Sequence, residues 1–478
     1  MTLADDPTIP DGKLSSIPDG KVSSIPDGKV SSRLAWFALF AASVSGFLFQ
    51  VDLTGLSAAL PDIASSVGVP ATDQAWIIDI YSLALVFALP VAGPVADRYG
   101  RRRVFIGGGV LFALASALCA AATTFESLLA WRVLQGVAGA AVTSSSSALL
   151  AAAYPGKRRA WAFGIWGTVV GASMVIGPPL GAFIAASAGW PWIFWINLPL
   201  CMALVVLASP LAESERVGSQ PSMDWLGPGL LALVVGSSAY ALLSSSGFRG
   251  LALASGVVAS GAFWIAERRH PHPAFDLGLF ASARFLALCV TAIASSIGYW
   301  SLLVHLPQMM RGPMGLDASR SGLLLTALTV PMLLLPGLGA RLSQVMPARL
   351  YFGGGLTVIG VAGLGLAVVS TDLSHPAAVW AVGAMLLLGG AGCALFNAQI
   401  TAFAVSSVPA DRAATAAAMC VTMRQVGFAL GIALIGAVLN LGGDNPYPPA
   451  YLLVGTIALS LAAIVFAALS VPAAKEQQ

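Results

Sequence analysis

Fourteen apolar stretches of about twenty residues follow one another after Arg33, each long enough to cross a hydrocarbon layer of ~30 Å as a helix. This pattern fixes the class of fold before any motif is considered. The stretches run near 35–58, 75–95, 104–124, 127–150, 161–184, 193–211, 225–244, 248–266, 285–306, 319–340, 350–370, 377–401, 415–440 and 451–471. A spanning β-barrel is excluded, because its strands alternate polar and apolar residues over segments of about ten. Of the 478 residues 57% are hydrophobic and 9% are charged, against about 25% charged in a soluble domain. So few charges cannot cover a water-soluble surface, which excludes a cytosolic enzyme, a nucleic-acid binder and a disordered chain. The sequence predicts an all-α polytopic membrane protein with 14 transmembrane helices.

The basic residues orient these spans. With an even number of spans and both termini cytoplasmic, only Arg249, Arg311 and Arg320 of the 24 Lys and Arg residues fall in outer loops. Arg132 and Arg424 fall within spans, and the other nineteen lie inside, as the positive-inside rule requires. A multi-pass protein of the cell membrane is expected. Before the first span, residues 9–16, 17–24 and 25–32 repeat an octapeptide, IPDGK followed by Leu or Val and two serines. Each Pro-Asp-Gly forms a turn, and two apolar residues per unit bury no core. The segment reads as a solvated tail or a partner-binding segment, and it lacks the apolar stretch of a signal peptide. The five cysteines are far apart inside apolar runs, which suits small core residues.

An ionisable group inside hydrocarbon costs a few kcal/mol and is by default a functional candidate. By this map only Asp52, Asp79, Arg132 and Arg424 among the charged residues lie well within spans, Arg249 and Arg320 standing at the outer edges of theirs. Counting the helical rise, Asp52, Asp79 and Arg132 sit at broadly similar depth in the outer half of the first bundle. Desolvation favours the protonated form of a carboxylate and a nearby arginine opposes it, the balance a proton-coupled machine needs. A static ion pair that packs helices is the other reading of these residues. His305, before Leu306-Pro307, reads as a satisfied neutral histidine or a proton relay. Arg424 either contacts substrate or pairs with backbone carbonyls.

Between the second and third stretches stands Gly93-Pro94-Val95-Ala96-Asp97-Arg98-Tyr99-Gly100-Arg101-Arg102-Arg103. This resembles the signature loop of the major facilitator superfamily, with Val95 in place of the usual Leu. Arg132-Val133-Leu134-Gln135-Gly136 resembles that family's fourth-span element, whose arginine is linked to proton coupling. Gly171 to Gly181, with Gly177-Pro178 and Gly181, resembles the fifth-span motif of exporters. Trp192 to Pro199 resembles the W-x-F-x-I-N-x-P start of the sixth span. Asp52-Leu53-Thr54 with Ala59-Leu60-Pro61 is similar to the first span of fourteen-span drug:proton antiporters. Asp79 occupies the position of the second-span acid of multidrug and antiseptic efflux proteins. The resemblance covers about residues 35–470. It departs in the C-terminal half, where the thirteenth span has no acid around Arg424 and Gly337-Leu338-Gly339-Ala340-Arg341-Leu342 lacks the aspartate of the signature loop.

The resemblance implies two six-helix bundles with two extra helices between them. The expected organisation is a cytoplasmic tail over 1–33, a first bundle over 34–212, linking helices and connection over 213–284, a second bundle over 285–472 and a tail over 473–478. It further implies proton-coupled efflux of lipophilic drugs or related toxicants, with Asp52, Asp79 and Arg132 coupling protons. Gly93, Asp97, Arg98, Gly100, Arg101, Gln135, Gly136, Gly171, Gly177, Pro178 and Gly181 would serve gating. Gln50, Tyr81, Tyr299, Trp300, His305, Asn397, Gln399 and Arg424 are candidates to line a cavity between the bundles. The alternatives are export of a single biosynthetic product and, against the fifth-span motif, nutrient import. A membrane enzyme or sensor is disfavoured, because the spans hold no metal-ligand cluster and no Ser-His-Asp set. The expected partners are a small lipophilic substrate, protons and lipid, for a monomer without cofactor, metal or nucleic acid.

Overall fold

The computed structural model describes residues 32–69, 73–154, 157–213, 224–243, 248–271, 273–375, 377–408, 412–441 and 445–470. The octapeptide repeats, apart from Ser32, lie outside these residues, and so does the side chain of Asp97. Among the described residues every element is helical. The first six spans are α1 (Ser32–Ser66), α2 (Trp76–Tyr99), α3 (Arg101–Ala120), α4 (Phe125–Ala153), α5 (Lys157–Ala188), and α6 (Pro191–Trp195) with α7 (Asn197–Ala208). Then come α8 (Leu226–Leu243) and α9 (Arg249–Arg269). The last six are α10 (Ala283–Ser295) with α11 (Leu302–Arg311), α12 (Ala318–Leu334) with α13 (Pro336–Val345), α14 (Ala348–Val369), α15 (Ala378–Ser406), α16 (Ala413–Leu439) and α17 (Tyr447–Ala468). Thirteen helical segments are long and apolar enough to cross a membrane, and the bent pair α12–α13 makes the fourteenth.

Three spans are broken where continuous helices were expected, each with a local cause. The sixth starts as a five-residue helix with Pro191 at its first position and turns at Ile196 into α7. The ninth passes through a π-helical turn, Ser296–Trp300, between α10 and α11. Such turns break the regular ladder and recur at functional sites. The tenth, expected as one helix over 319–340, bends by 50° at Leu335. Pro336 has no N–H to continue the ladder there, and its ring disfavours helical backbone before it. The first span runs to Ser66 and not to 58, because Pro61 and Asp62 stay helical at the end of α1.

Within the N-terminal half α1 packs on α5, and α2 and α3 on α4; within the C-terminal half α14 packs on α15 and α17, and α10 on α16. α8 lies against α9, α2 and α16. The halves meet where α5 touches α12, α2 touches α16 and α1 touches α11. These contacts concentrate at the end opposite the arginine-rich loops. There Leu56, Leu60, Ile77 and Ile78 share one buried cluster with Val304, Phe428 and Ile432. The same end carries an ion pair between halves, Arg311 to Asp62, with Nη1 and Nη2 at 2.7 and 2.8 Å from the two carboxylate oxygens. Toward the basic end the halves part. On one face of α5, Gly171 lies against Met332, and Pro178 and Ala182 lie against Gly322. One and two turns nearer the basic end, Gly167 and Gly164 on that face meet no atom of a neighbouring helix. The result is a cleft sealed at one end and open at the basic end.

Candidate functional site

α2 and α4 cross closely, and the packing shows why glycine is needed at position 136. A Cβ on Gly136 would lie 2.6 Å from the Ala84 Cβ and 2.7 Å from the Tyr81 carbonyl oxygen. The absent side chain lets α4 approach α2, and that approach buries Arg132 one turn away. Gly181 likewise lies backbone to backbone on Gly55, and Gly177 lies on Thr54, so the fifth-span motif forms the α1–α5 crossing. α1 is thereby clamped with Asp52 turned toward α4.

Asp52 and Arg132 meet as a buried ion pair, Nη1 to Oδ2 at 2.8 Å, with side chains 1% and 0% exposed. A pair so removed from water is affordable only with its remaining polar atoms bonded. Gln135, one turn along α4, accepts from Arg132 Nη1 at 2.6 Å and donates to Asp52 Oδ1 at 3.2 Å. Asn197, at the start of α7, donates to the same oxygen at 2.8 Å. Ser116 of α3 accepts from both amides, at 2.7 Å from Gln135 and 3.1 Å from Asn197. Arg132 Nε donates to the Ile77 carbonyl of α2 at 3.1 Å, and its guanidinium lies 4.4 Å from the Tyr81 ring centroid. The attraction of a desolvated cation to a ring face adds about 2 kcal/mol at most. Five helices therefore converge on one carboxylate, which receives three N–H donors.

Asp79 does not join this cluster. It is fully buried, and neither carboxylate oxygen has a hydrogen-bond partner. Depth alone would put it beside Asp52, but its azimuth differs. Tyr81, two residues later, is the α2 side chain that faces Arg132. Trp76 packs on Tyr240 of α8, Ile78 packs beside Phe428 of α16, and Leu83 lies beside Gly236 of α8. Asp79 thus faces the seam of α2, α8 and α16, where the halves join.

The signature loop is a tight turn. Gly100 has φ of 103°, the left-handed region that glycine tolerates, and a Cβ there would strike Glu213. Glu213, past the end of α7, accepts from the Arg102 backbone N–H at 3.1 Å and lies 3.5 Å from Arg103 Nε. Arg102 donates to the Ala208 carbonyl at 3.2 Å and the Ser209 carbonyl at 2.5 Å, which caps α7 with positive charge. Arg98 lies over Tyr99. Arg101 is the first residue of α3, and Gly93 approaches only Ser144 of α4. The loop is therefore bound to the sixth span of its own half.

The expected cavity-lining residues separate into three groups. Tyr299 is buried and donates to the Leu328 carbonyl at 3.2 Å, and Tyr81 is taken up by Arg132, so neither faces the cleft. His305 and Trp300 belong to the closed end. His305 is buried with Nε2 donating to the Ile432 carbonyl at 3.0 Å, and Trp300 packs on the buried clusters of both halves. Gln50, Asn397, Gln399 and Arg424 remain partly exposed. Sequence reasoning left Asn197 and Ser116 out of the site. The asparagine stands in the W-x-F-x-I-N-x-P motif and could have been found there, whereas Ser116 has no sequence signal.

The model of the Major Facilitator Superfamily matches residues 42–431 and 288–478. The multidrug resistance protein Stp of Mycobacterium tuberculosis is 30% identical over 408 residues, covering 84% of this chain and 75% of that protein. The multidrug transporter protein MdtP of Bacillus subtilis is 27% identical over 412 residues, with the same coverage, 84% and 75%. The tetracenomycin C resistance and export protein of Streptomyces glaucescens is 29% identical over 424 residues, covering 86% of this chain and 77% of that protein. A helical chain with fourteen spans, a glycine-turned basic loop and relatives of this kind belongs to the major facilitator superfamily, alongside its multidrug efflux transporters.

Proposed function

We propose that this protein exports lipophilic organic compounds across the cell membrane in exchange for protons, and so confers resistance to them. The observation that carries this reading is the pair of carboxylates on α1 and α2. Asp52 is held by Arg132, Gln135 and Asn197, and Asp79 is bare at the seam of the halves. With the basic end in the cytoplasm, as the distribution of arginines suggests, the open cleft faces the cytoplasm and takes substrate there.

In this state the carboxylate of Asp52 is matched by a full positive charge and three donors, a stable resting arrangement. Proton arrival at Asp52 removes one charge of the pair and leaves Arg132 without a counterion inside the membrane. That cost is relieved only if the helices around it shift. Asp79, buried where α2 meets α8 and α16, makes the seal itself sensitive to protonation and to a bound substrate. Substrate and proton thereby compete for the same rearrangement, which is the requirement for antiport. Opening the sealed end requires breaking the Arg311–Asp62 pair and the apolar cluster behind it.

Everted membrane vesicles test this. Compounds that the protein protects against in a drug-sensitive host should collapse a preformed pH gradient, and Asp52→Asn should abolish the collapse. Unchanged exchange in that variant would remove the coupling role. Export of a single biosynthetic product is a second reading, favoured by the similarity to the tetracenomycin C export protein. A panel of cationic, neutral and acidic toxicants separates the two by the number of compounds to which resistance appears.

A further inference from the structure

With Arg341 of α13 lying at the basic end of the bent tenth span, Arg424 is the one charged side chain among the described residues near the middle of a C-terminal span. It sits eleven residues into α16, about 17 Å from that helix's basic end at 1.5 Å per residue. Its side chain is partly exposed, and no described residue holds it by a hydrogen bond or ion pair. An unpaired guanidinium at that depth cannot lie in hydrocarbon without a cost of several kcal/mol, so it borders water. The helix phase says where. Phe428, one turn further, shares its face of α16 and lies in the buried cluster of the seal together with Ile77 and Ile78 of α2. Arg424 therefore points between the halves, one turn below the seal, into the open cleft.

A second polar group stands level with it. α15 packs on α16, and Thr401 lies near the Cys420 thiol, which for consecutive spans running in opposite directions brings position 397 level with position 424. Asn397 Oδ1 is buried without a partner, and the charge of Arg424 reaches Cys393, one turn from Asn397 on α15. Among the described residues no acid is paired with this cation. Asp52 belongs to Arg132, and Asp79 is closed inside the seal. Glu267 is buried at the end of α9, bonded to the Phe275 N–H. Among the described residues, Arg424 and the Asn397 oxygen thus stand near one another without partners beside the open cleft.

We infer that Arg424 and Asn397 form the polar end of the substrate site, and that the site selects amphipathic organic anions, planar ring systems bearing an ionised carboxylate, phenolate or enolate, over lipophilic cations. This rests on the efflux reading for transport but not for binding. Arg424 supplies charge-assisted donors to the anionic oxygen, and the Asn397 amide meets a hydroxyl or carbonyl on the same ring edge. The apolar walls hold the ring system.

Two xanthene dyes of similar shape and opposite charge, fluorescein and rhodamine 123, test the inference on the purified full-length protein by fluorescence anisotropy. Fluorescein should bind roughly tenfold more tightly or better, the size of one charge-assisted hydrogen bond. Arg424→Gln should remove that preference and Arg424→Lys should retain most of it. Thermal unfolding of both variants should match the parent, since Arg424 holds no other residue. Tighter binding of rhodamine 123, a preference unchanged in Arg424→Gln, or binding of neither dye would overturn the assignment. The two readings fail separately. Fluorescein binding without proton exchange keeps this site and removes the efflux reading, whereas proton exchange driven by rhodamine 123 alone keeps efflux and removes the anion site.

Discussion

Each half of the molecule places one arginine inside the membrane, and the two are treated in opposite ways. Arg132 is wholly buried, paired to Asp52 and bonded to Gln135 and the Ile77 carbonyl. Arg424 is partly exposed and holds nothing. The difference is one of solvent. A charge without water needs partners supplied by the fold, while a charge beside a wet cleft needs none and is free to meet a ligand. On the proposed reading, proton coupling belongs to the N-terminal half and substrate charge recognition to the C-terminal half. That reading also accounts for the missing acid of the thirteenth span, since a site that takes anions has no use for one.

The largest effect should come from breaking the buried pair on one side. Arg132→Met leaves Asp52 as an uncompensated buried charge, a loss of about 3–5 kcal/mol. It should appear as a steep fall in the yield and thermal stability of the purified protein. Arg132→Met combined with Asp52→Leu removes both charges and should restore most of that stability while leaving coupled transport abolished. A double variant no more stable than the single one would contradict the pairing. Asn197→Ala should cost less, about 1–3 kcal/mol for one donor lost to a buried carboxylate. It should also lower coupled transport, because one of the three donors to the Asp52 carboxylate is gone. Asn197→Asp, which sets a second acid against Asp52, should be worse than the alanine. The stability of Arg424→Gln marks the small end of the scale, within about 0.5 kcal/mol of the parent, as for a side chain without partners.

The legible part of the fold was its apolar periodicity. Fourteen spans could be counted because lipid demands about twenty apolar residues for each crossing. The breaks were not legible from hydropathy, since Pro336 and the Ser296–Trp300 turn change backbone geometry without changing polarity. The end of α1 was missed for the converse reason. Asp62 is polar yet stays helical and pairs with Arg311 of the other half. In the site, the shared depth of Asp52 and Arg132 was legible, but their pairing is a matter of helix packing. Asp79 lies at comparable depth, but only the packing of Trp76, Ile78 and Leu83 fixes the direction it faces. Whether Arg424 had a partner was a question about neighbouring helices that one sequence leaves open.

The division of labour between the halves is tested most directly by counting protons moved per substrate molecule in proteoliposomes, alongside substrate exchange without a gradient. Asp79→Asn removes a carboxylate that bonds to no described residue, so the protein should fold and exchange substrate at close to the parent rate. It should lose accumulation driven by a pH gradient and its proton movement per substrate, while Arg424→Gln should keep the parent proton count and lose substrate affinity. Undiminished proton movement in Asp79→Asn, or a changed proton count in Arg424→Gln, would contradict the account.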